Sequence, residues 1–249
     1  MKTILKVSNV SKYFGGVKAL ESVSFDLNEG EILGIIGPNG SGKTTLVNVI
    51  TGFLKPNSGD VIFKNEKITG LPPYKIANLG IARTFQNVRP FYHLPAFKNL
   101  IIPLYSSRSR RFAESKFGDR DHVALDLMED VGFERDSPIP YKAAAALPHG
   151  YIKRLELARC LALKPEILIT DEIFSGLSAA EVASMVPILE KLQMGGITLV
   201  MVEHRLRELF RIADRVIVLE YGSKIAEGKP DEIVENERVK EAYLGTEVV

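Results

Sequence analysis

The chain has 249 residues, 45% of them apolar and 25% charged, with a formal net charge of +1. That length buries a full core, the balance is that of a globular protein, and a charge so near zero supplies no global field for nucleic acid. No run approaches the ~20 apolar residues of a bilayer span, no signal-peptide core opens the chain, and one cysteine, Cys160, excludes an internal disulfide.

In chain order, β-rich runs come first: Ile4 to Val7, Val23 to Leu27, and Glu31 to Ile36. Asn28-Glu29-Gly30 between the last two reads as the turn of an antiparallel hairpin. Gly37-Pro38-Asn39-Gly40-Ser41-Gly42-Lys43-Thr44-Thr45 follows, then a helical run, Leu46 to Ile50. After the turn Lys55-Pro56-Asn57-Ser58-Gly59 comes a strand, Asp60 to Phe63. From about Pro90 to Leu147 helical patterns such as His122 to Val131 replace strands, which predicts a helical subdomain inserted into an α/β core. The basic cluster Arg108, Arg110 and Arg111, followed by Glu114, Asp119 and Asp121, reads as a solvated loop. Strands return at Ile167 to Thr170, Ile197 to Val202 and Arg215 to Leu219. They alternate with helices at Gly150 to Leu163 and Ala179 to Leu192, the pattern of a parallel sheet with crossover helices. Cys160 lies in one of those helices and reads as a packed structural thiol. Two short helices, Pro230 to Asn236 and Glu237 to Leu244, close the chain.

The glycine-rich stretch carries the chemistry. A buried strand, a glycine loop and a helix in that order form a phosphate-binding loop. Glycines let backbone N–H groups crowd around phosphates, and the helix N-terminus adds partial positive charge. Lys43 reaches the β- and γ-phosphates, and the Thr44 hydroxyl ligates Mg²⁺. A nucleoside triphosphate is the expected ligand. The strand Ile167-Leu168-Ile169-Thr170 then delivers Asp171 and Glu172 at its C-terminal end, where open α/β sheets bind ligands. Asp171 suits Mg²⁺, and Glu172 stands where a general base would polarise an attacking water.

With these motifs in this order the chain resembles an ATP-binding cassette (ABC) ATPase subunit, from Ile4 to Gly245. The resemblance implies a P-loop α/β fold with a mostly parallel core sheet, an antiparallel β subdomain and an inserted helical subdomain. It divides a single 1–245 domain into a core (1–89 and 164–229) and a helical part (about 90–163), with C-terminal helices over 230–249. Thr84-Phe85-Gln86-Asn87 resembles the family's glutamine loop, which makes Gln86 a sensor of Mg²⁺ and water facing the membrane subunit. Val202-Glu203-His204 resembles the switch histidine that contacts the γ-phosphate, and Phe14, with Tyr13 beside it, takes the adenine-stacking position. The implied cofactors are ATP and Mg²⁺. Its implied partners are transmembrane permease subunits and a second ATPase subunit, identical or not, at the cytoplasmic membrane face. Ile81 to Gln86, Leu71-Pro72-Pro73 and Glu241 to Gly245 resemble the ATPases of branched-chain amino-acid importers; lipopolysaccharide-exporter and urea-importer ATPases are similar in these segments.

The pattern breaks on the side offered to a partner. Where the family's signature reads Leu-Ser-Gly-Gly-Gln, this chain has Leu147-Pro148-His149-Gly150-Tyr151. Gly150 keeps a helix start that faces the partner's γ-phosphate, and Pro148 is compatible with a first turn. The serine hydroxyl is gone, and His149 reads either as a plain helix-start residue or as a partial substitute for it. Ile173 replaces the proline after the catalytic glutamate, and Gly176-Leu177-Ser178-Ala179-Ala180 lacks the usual acidic or amide side chain. Complete machinery of its own and a weakened contribution in trans suit one half of a heterodimer, a slow homodimer, or an ATP-holding regulatory subunit with little turnover.

Overall fold

The computed structural model describes residues 2–86, 89–111 and 120–244. Asn87, Glu114, Asp119 and Gly245 lie outside the described residues. The chain opens with β1 (Thr3–Phe14) and β2 (Val17–Asn28), a long antiparallel pair turning at Gly15 and Gly16. It continues through β3 (Ile32–Ile36), α1 (Lys43–Ile50), β4 (Ser58–Phe63), β5 (Glu66–Lys67), α2 (Pro73–Leu79) and β6 (Ile81–Arg83). Four α-helices follow among the described residues before the next strand: α3 (Ile101–Leu104), α4 (Ser107–Arg111), α5 (Arg120–Asp130) and α6 (His149–Leu161). The rest is β7 (Ile167–Asp171), α7 (Ala179–Met194), β8 (Thr198–Val202), α8 (Leu206–Ile212), β9 (Arg215–Glu220), β10 (Ser223–Gly228), α9 (Pro230–Glu235) and α10 (Glu237–Leu244).

The strands form two sheets. One is antiparallel, in the order β2-β1-β4-β5; the other runs β10-β9-β3-β8-β7-β6 and is parallel except for β10 at its edge. The central strands β3, β7 and β8 are buried along their whole length, as expected of parallel strands covered on both faces. Their alternate residues feed two separate cores. Ile32, Ile36, Leu168, Leu199 and Met201 face the cluster built by α5, α6 and α7. Leu33, Ile35, Ile169, Val200 and Val202 face the cluster shared with α1 and the antiparallel sheet. The period of two thus fixes which layer each side chain stabilises, at about 1.5–3 kcal/mol per fully buried aliphatic group.

Two expectations are corrected. Asn28-Glu29-Gly30 makes a turn, but β2 and β3 do not pair across it. β2 pairs with β1, while β3 lies between β8 and β9 in the other sheet. The Glu31 carboxylate explains the exit: it accepts from Asn28 N–H at 2.8 Å and is held by the Arg215 guanidinium at 2.7 Å, which fixes the chain as it crosses between sheets. Arg108 of the basic cluster is not part of a solvated loop either. Arg108 sits on α4, is buried, and donates to the carbonyls of Lys164 and Leu79 and to Glu166. Asp121 pairs with Lys98 instead. Cys160 is buried, as expected, and burial pushes its thiol far above the ordinary range.

Candidate functional site

The site is assembled at the C-terminal ends of β3, β7 and β8. Gly37 leaves β3 at φ +150, and a Cβ there would lie 2.1 Å from Leu219 O; Gly42 enters α1 at φ +104, where a Cβ would meet Ala19 O at 2.5 Å. Only glycine lets the loop curl this tightly against β9 and β2. Helix α1 has no side-chain cap and no acidic residue in its first turn. Its free N–H donors are therefore open to an anion supplied from outside. Helix α7, in contrast, is closed by its own capping box of Ser178 and Glu181.

Lys43 is buried, and its Nζ donates to Gly37 O at 2.7 Å and Pro38 O at 2.9 Å, so the loop carbonyls hold the ammonium in place. Burial lowers its pKa, countered by Glu172 and Asp171 nearby. Thr44 is exposed at the start of α1 and Thr45 is half-buried beside it. Asn39 and Gly40 are exposed at the loop's tip, and Ser41 is buried against Lys43. Phe14 ends β1 with its ring half-exposed and the Lys12 ammonium 5.2 Å from its centroid.

Glu172 follows β7 with φ +53, a left-handed conformation that costs a non-glycine residue energy and persists only where its surroundings hold it. They do. Glu172 N–H donates to Val202 O at 2.8 Å, Gln86 Nε2 donates to its Oε2 at 2.7 Å, and His204 Nε2 lies 3.1 Å from its Oε1. Glu172, His204 and Gln86, far apart in sequence, are thus brought together. Asp171, one residue earlier, is buried, and its Oδ2 accepts from Arg83 Nη2 at 2.6 Å. Arg83 also donates to Asn48 at 2.5 Å, with the Phe85 ring 5.0 Å away.

Among the described residues no group of three His, Cys, Asp or Glu could cage a metal. The donors present are oxygens, from Thr44, Asp171 and the Gln86 side chain. Such a set fits Mg²⁺, which takes one or two protein ligands and completes its shell with phosphates and water. Gln86 donates its side-chain amide nitrogen to Glu172.

The signature positions open α6. Pro148 and His149 are exposed, Gly150 is buried, and the helix start has neither a side-chain cap nor an acid in its first turn. His149 Nε2 lies 3.4 Å from Ser175 O, close over Gly176. Tyr151 packs its ring 5.0 Å from that of Phe133 and belongs to the helical layer.

Five further residues sit against this site. Arg83 neutralises Asp171. Glu156 on α6 accepts from Phe85 N–H at 2.6 Å, and burial pushes it up to about 7. Glu203 is buried beside His204, accepts from Phe174 N–H at 3.3 Å, and is pushed up to about 8 by burial, with Glu172 adding to the rise. Lys153 donates to the carbonyls of Glu172 and Gln86. Tyr243 of α10 accepts a hydrogen bond from Gly37 N–H, and burial raises its pKa to about 12.

An uncapped helix behind a glycine loop, facing two adjacent carboxylates at the edge of a parallel sheet, defines a P-loop nucleotide-binding protein of the ATPase type. The chain belongs to the ABC transporter family: the family model described as "ABC transporter" matches residues 20–175. A second model, "Branched-chain amino acid ATP-binding cassette transporter", matches residues 223–249. The chain is 34% identical to the high-affinity branched-chain amino acid transport ATP-binding protein BraF of Pseudomonas aeruginosa, over 98% of each chain. With the corresponding protein LivG of Escherichia coli it shares 34% identity, covering 97% of this chain and 98% of that one. Its fold matches the crystal structure of the ADP conformation of an ATP-binding cassette of an ABC transporter, with a TM-score of 0.86, 34% identity, and 98% and 100% of the two chains covered. A dimeric bacterial ABC transporter cassette matches with a TM-score of 0.80 at 29% identity, covering 91% of this chain and 99% of that one.

Proposed function

We propose that this chain is the ATP-hydrolysing subunit of an ABC transporter for branched-chain amino acids, acting as a peripheral subunit on the cytoplasmic membrane face. The observation that carries the reading is the Glu172 carboxylate, gripped by Gln86 at 2.7 Å and His204 at 3.1 Å beside the uncapped start of α1. The backbone of Gly37 to Thr45, with Pro38, Asn39, Gly40, Ser41 and Gly42 forming the curl, receives the phosphates. Lys43 transfers its donors from Gly37 O and Pro38 O to the β- and γ-phosphate oxygens. Phe14 receives the adenine ring. Thr44, Asp171 and Gln86 hold Mg²⁺, which when bound neutralises charge on the phosphates. Glu172 accepts a proton from the attacking water while His204 steadies the γ-phosphate, and Gln86 keeps that water in line.

Pro148, His149 and Gly150 serve a second ATPase subunit's nucleotide through the open start of α6. A groove of about 440 Å³ lined by Phe85, Ile102, Pro103, Tyr105 and Glu156, one residue from Gln86, suits an apolar segment of the permease. No helix among the described residues is long and apolar enough to cross a membrane, so the reading assigns the spans to that permease.

Glu172→Gln tests the reading because it removes the base and preserves shape. Hydrolysis should fall by about 10²–10⁴-fold while ATP-dependent dimerisation, followed by size-exclusion chromatography, persists. A variant that hydrolyses ATP at the parent rate would remove Glu172 from the chemistry.

A further inference from the structure

The left-handed peptide at Glu172 needs a hold on its carbonyl as well as on its N–H and side chain, and a buried cation provides it. Lys153 is 2% exposed. Its Nζ donates to Glu172 O at 3.2 Å and to Gln86 O at 3.4 Å, the carbonyls of two residues 86 positions apart whose side chains are themselves hydrogen-bonded. Two carboxyl groups lie near it: Glu156, one turn along α6, and Glu203, just past the end of β8. The Lys153 donors go to the two carbonyls all the same. One turn before it on α6 stand His149 and Gly150. Glu156, on the same helix, holds Phe85 N–H.

We propose that Lys153 is a positioning residue for hydrolysis: from within the helix that carries the signature, it holds the Gln86 and Glu172 peptides in register. A shift of α6 when its N-terminus meets the partner's nucleotide is then felt directly at the base of its own chain. The inference rests on the assignment of Glu172 as that base. It adds a route by which the trans surface of the chain governs its cis chemistry.

Lys153→Met keeps the length and apolar stem but removes the ammonium, and Lys153→Arg restores charge and donors. On the full chain, ATP affinity and KM should stay at parent values in Lys153→Met while kcat falls about 10- to 100-fold, with Lys153→Arg recovering most of the loss. Hydrogen exchange supplies a readout independent of turnover. Amides at residues 85–86 and 172–176 should exchange about tenfold faster in Lys153→Met, and those of β3 and β8 should not change. Parent exchange at those segments, or a raised KM at unchanged kcat, overturns the inference. Glu172→Gln measured alongside separates the two ideas: if it abolishes hydrolysis and Lys153→Met does not slow it, the base stands and the positioning role falls.

Discussion

Replacing Glu203 by Gln should change the pH dependence of stability more than stability itself. Glu203 is 2% exposed, immediately before His204, and its carboxyl titrates at about 8 instead of 4.5 because burial penalises its charge and Glu172 repels it. Since the folded-state value is raised, the folded chain binds the proton more tightly than the unfolded one. The associated stability is complete below about pH 4.5 and is lost progressively as pH rises through about 8. At about 1.4 kcal/mol per pH unit the interval sets an upper bound of roughly 5 kcal/mol, and relaxation of a buried group brings the expected figure to about 2–4 kcal/mol. Gln keeps the oxygen that accepts from Phe174 N–H and never ionises. The two proteins should therefore melt together near pH 5, with Glu203→Gln higher by several degrees near pH 9, at about 2–4 °C per kcal/mol for a chain of this size. Thermal melts at half-unit steps from pH 5 to 9 measure the gap. Parallel curves with a constant offset would refute the reasoning, because they would mean that Glu203 carries its charge at every pH tested.

Two substitutions probe the phosphate loop and the signature. Lys43→Ala should weaken ATP binding at least tenfold, because an ammonium–phosphate bond contributes about 1.5–3 kcal/mol, while a melt reports an intact fold; unchanged affinity in a nucleotide titration would contradict the role given to the loop. Pro148→Ser restores a hydroxyl at the exposed start of α6, and a bond of about 2 kcal/mol formed in the transition state corresponds to roughly thirtyfold faster steady-state turnover in a homodimer. No gain in turnover would show that His149 and the Gly150 helix start already suffice.

The layered fold was legible because its signals are local. The Gly37 to Thr45 loop lies between a run of five apolar residues and a helix, and the fully buried strands at 167–171 and 198–202 contain the apolar runs Ile167 to Ile169 and Leu199 to Val202. What escaped the sequence reading was decided by partners distant in the chain. β6 is three residues long and is a strand only because β7 lies beside it. β10 is partly buried along nearly its whole length against β9, and Lys224 and Glu227 keep it from reading as an apolar strand. The turn at Asn28 to Gly30 carries hairpin chemistry, yet the apolar demand of Ile32 to Ile36 places that strand at the centre of the other sheet. Arg108 reads by composition as a surface arginine, and the distant Leu79 and Lys164 carbonyls and Glu166 carboxylate make it structural. The same holds at the site. Glu172, Asp171 and the loop announce themselves by motif, whereas Arg83, Lys153, Glu156 and Glu203 are charged residues that nothing local marks as buried.

These hidden residues bear on the departures in the signature. The substituted signature positions, Pro148, His149 and Tyr151, lie at the N-cap and first turn of α6, while Gln86, Asp171, Glu172 and His204 all match the family pattern. If the signature merely presented donors to another subunit, its changes would leave this chain's own chemistry untouched. The geometry joins the two. His149 rests against Ser175 O and Gly176, three and four residues after Glu172, and the next turn of the helix sends Lys153 to the Glu172 carbonyl and Glu156 to the Phe85 N–H. A rigid helix transmits displacement along its length at little cost, since its internal hydrogen bonds are all retained. On the proposed reading, substitution at the start of α6 acts on two sites at once, lowering the donor strength offered to a second subunit's nucleotide while altering the seat of Glu172 in the same chain. Pro148→Ser should accordingly change the hydrogen exchange of residues 172–176 as well as turnover, and an effect confined to turnover would separate the helix start from the base.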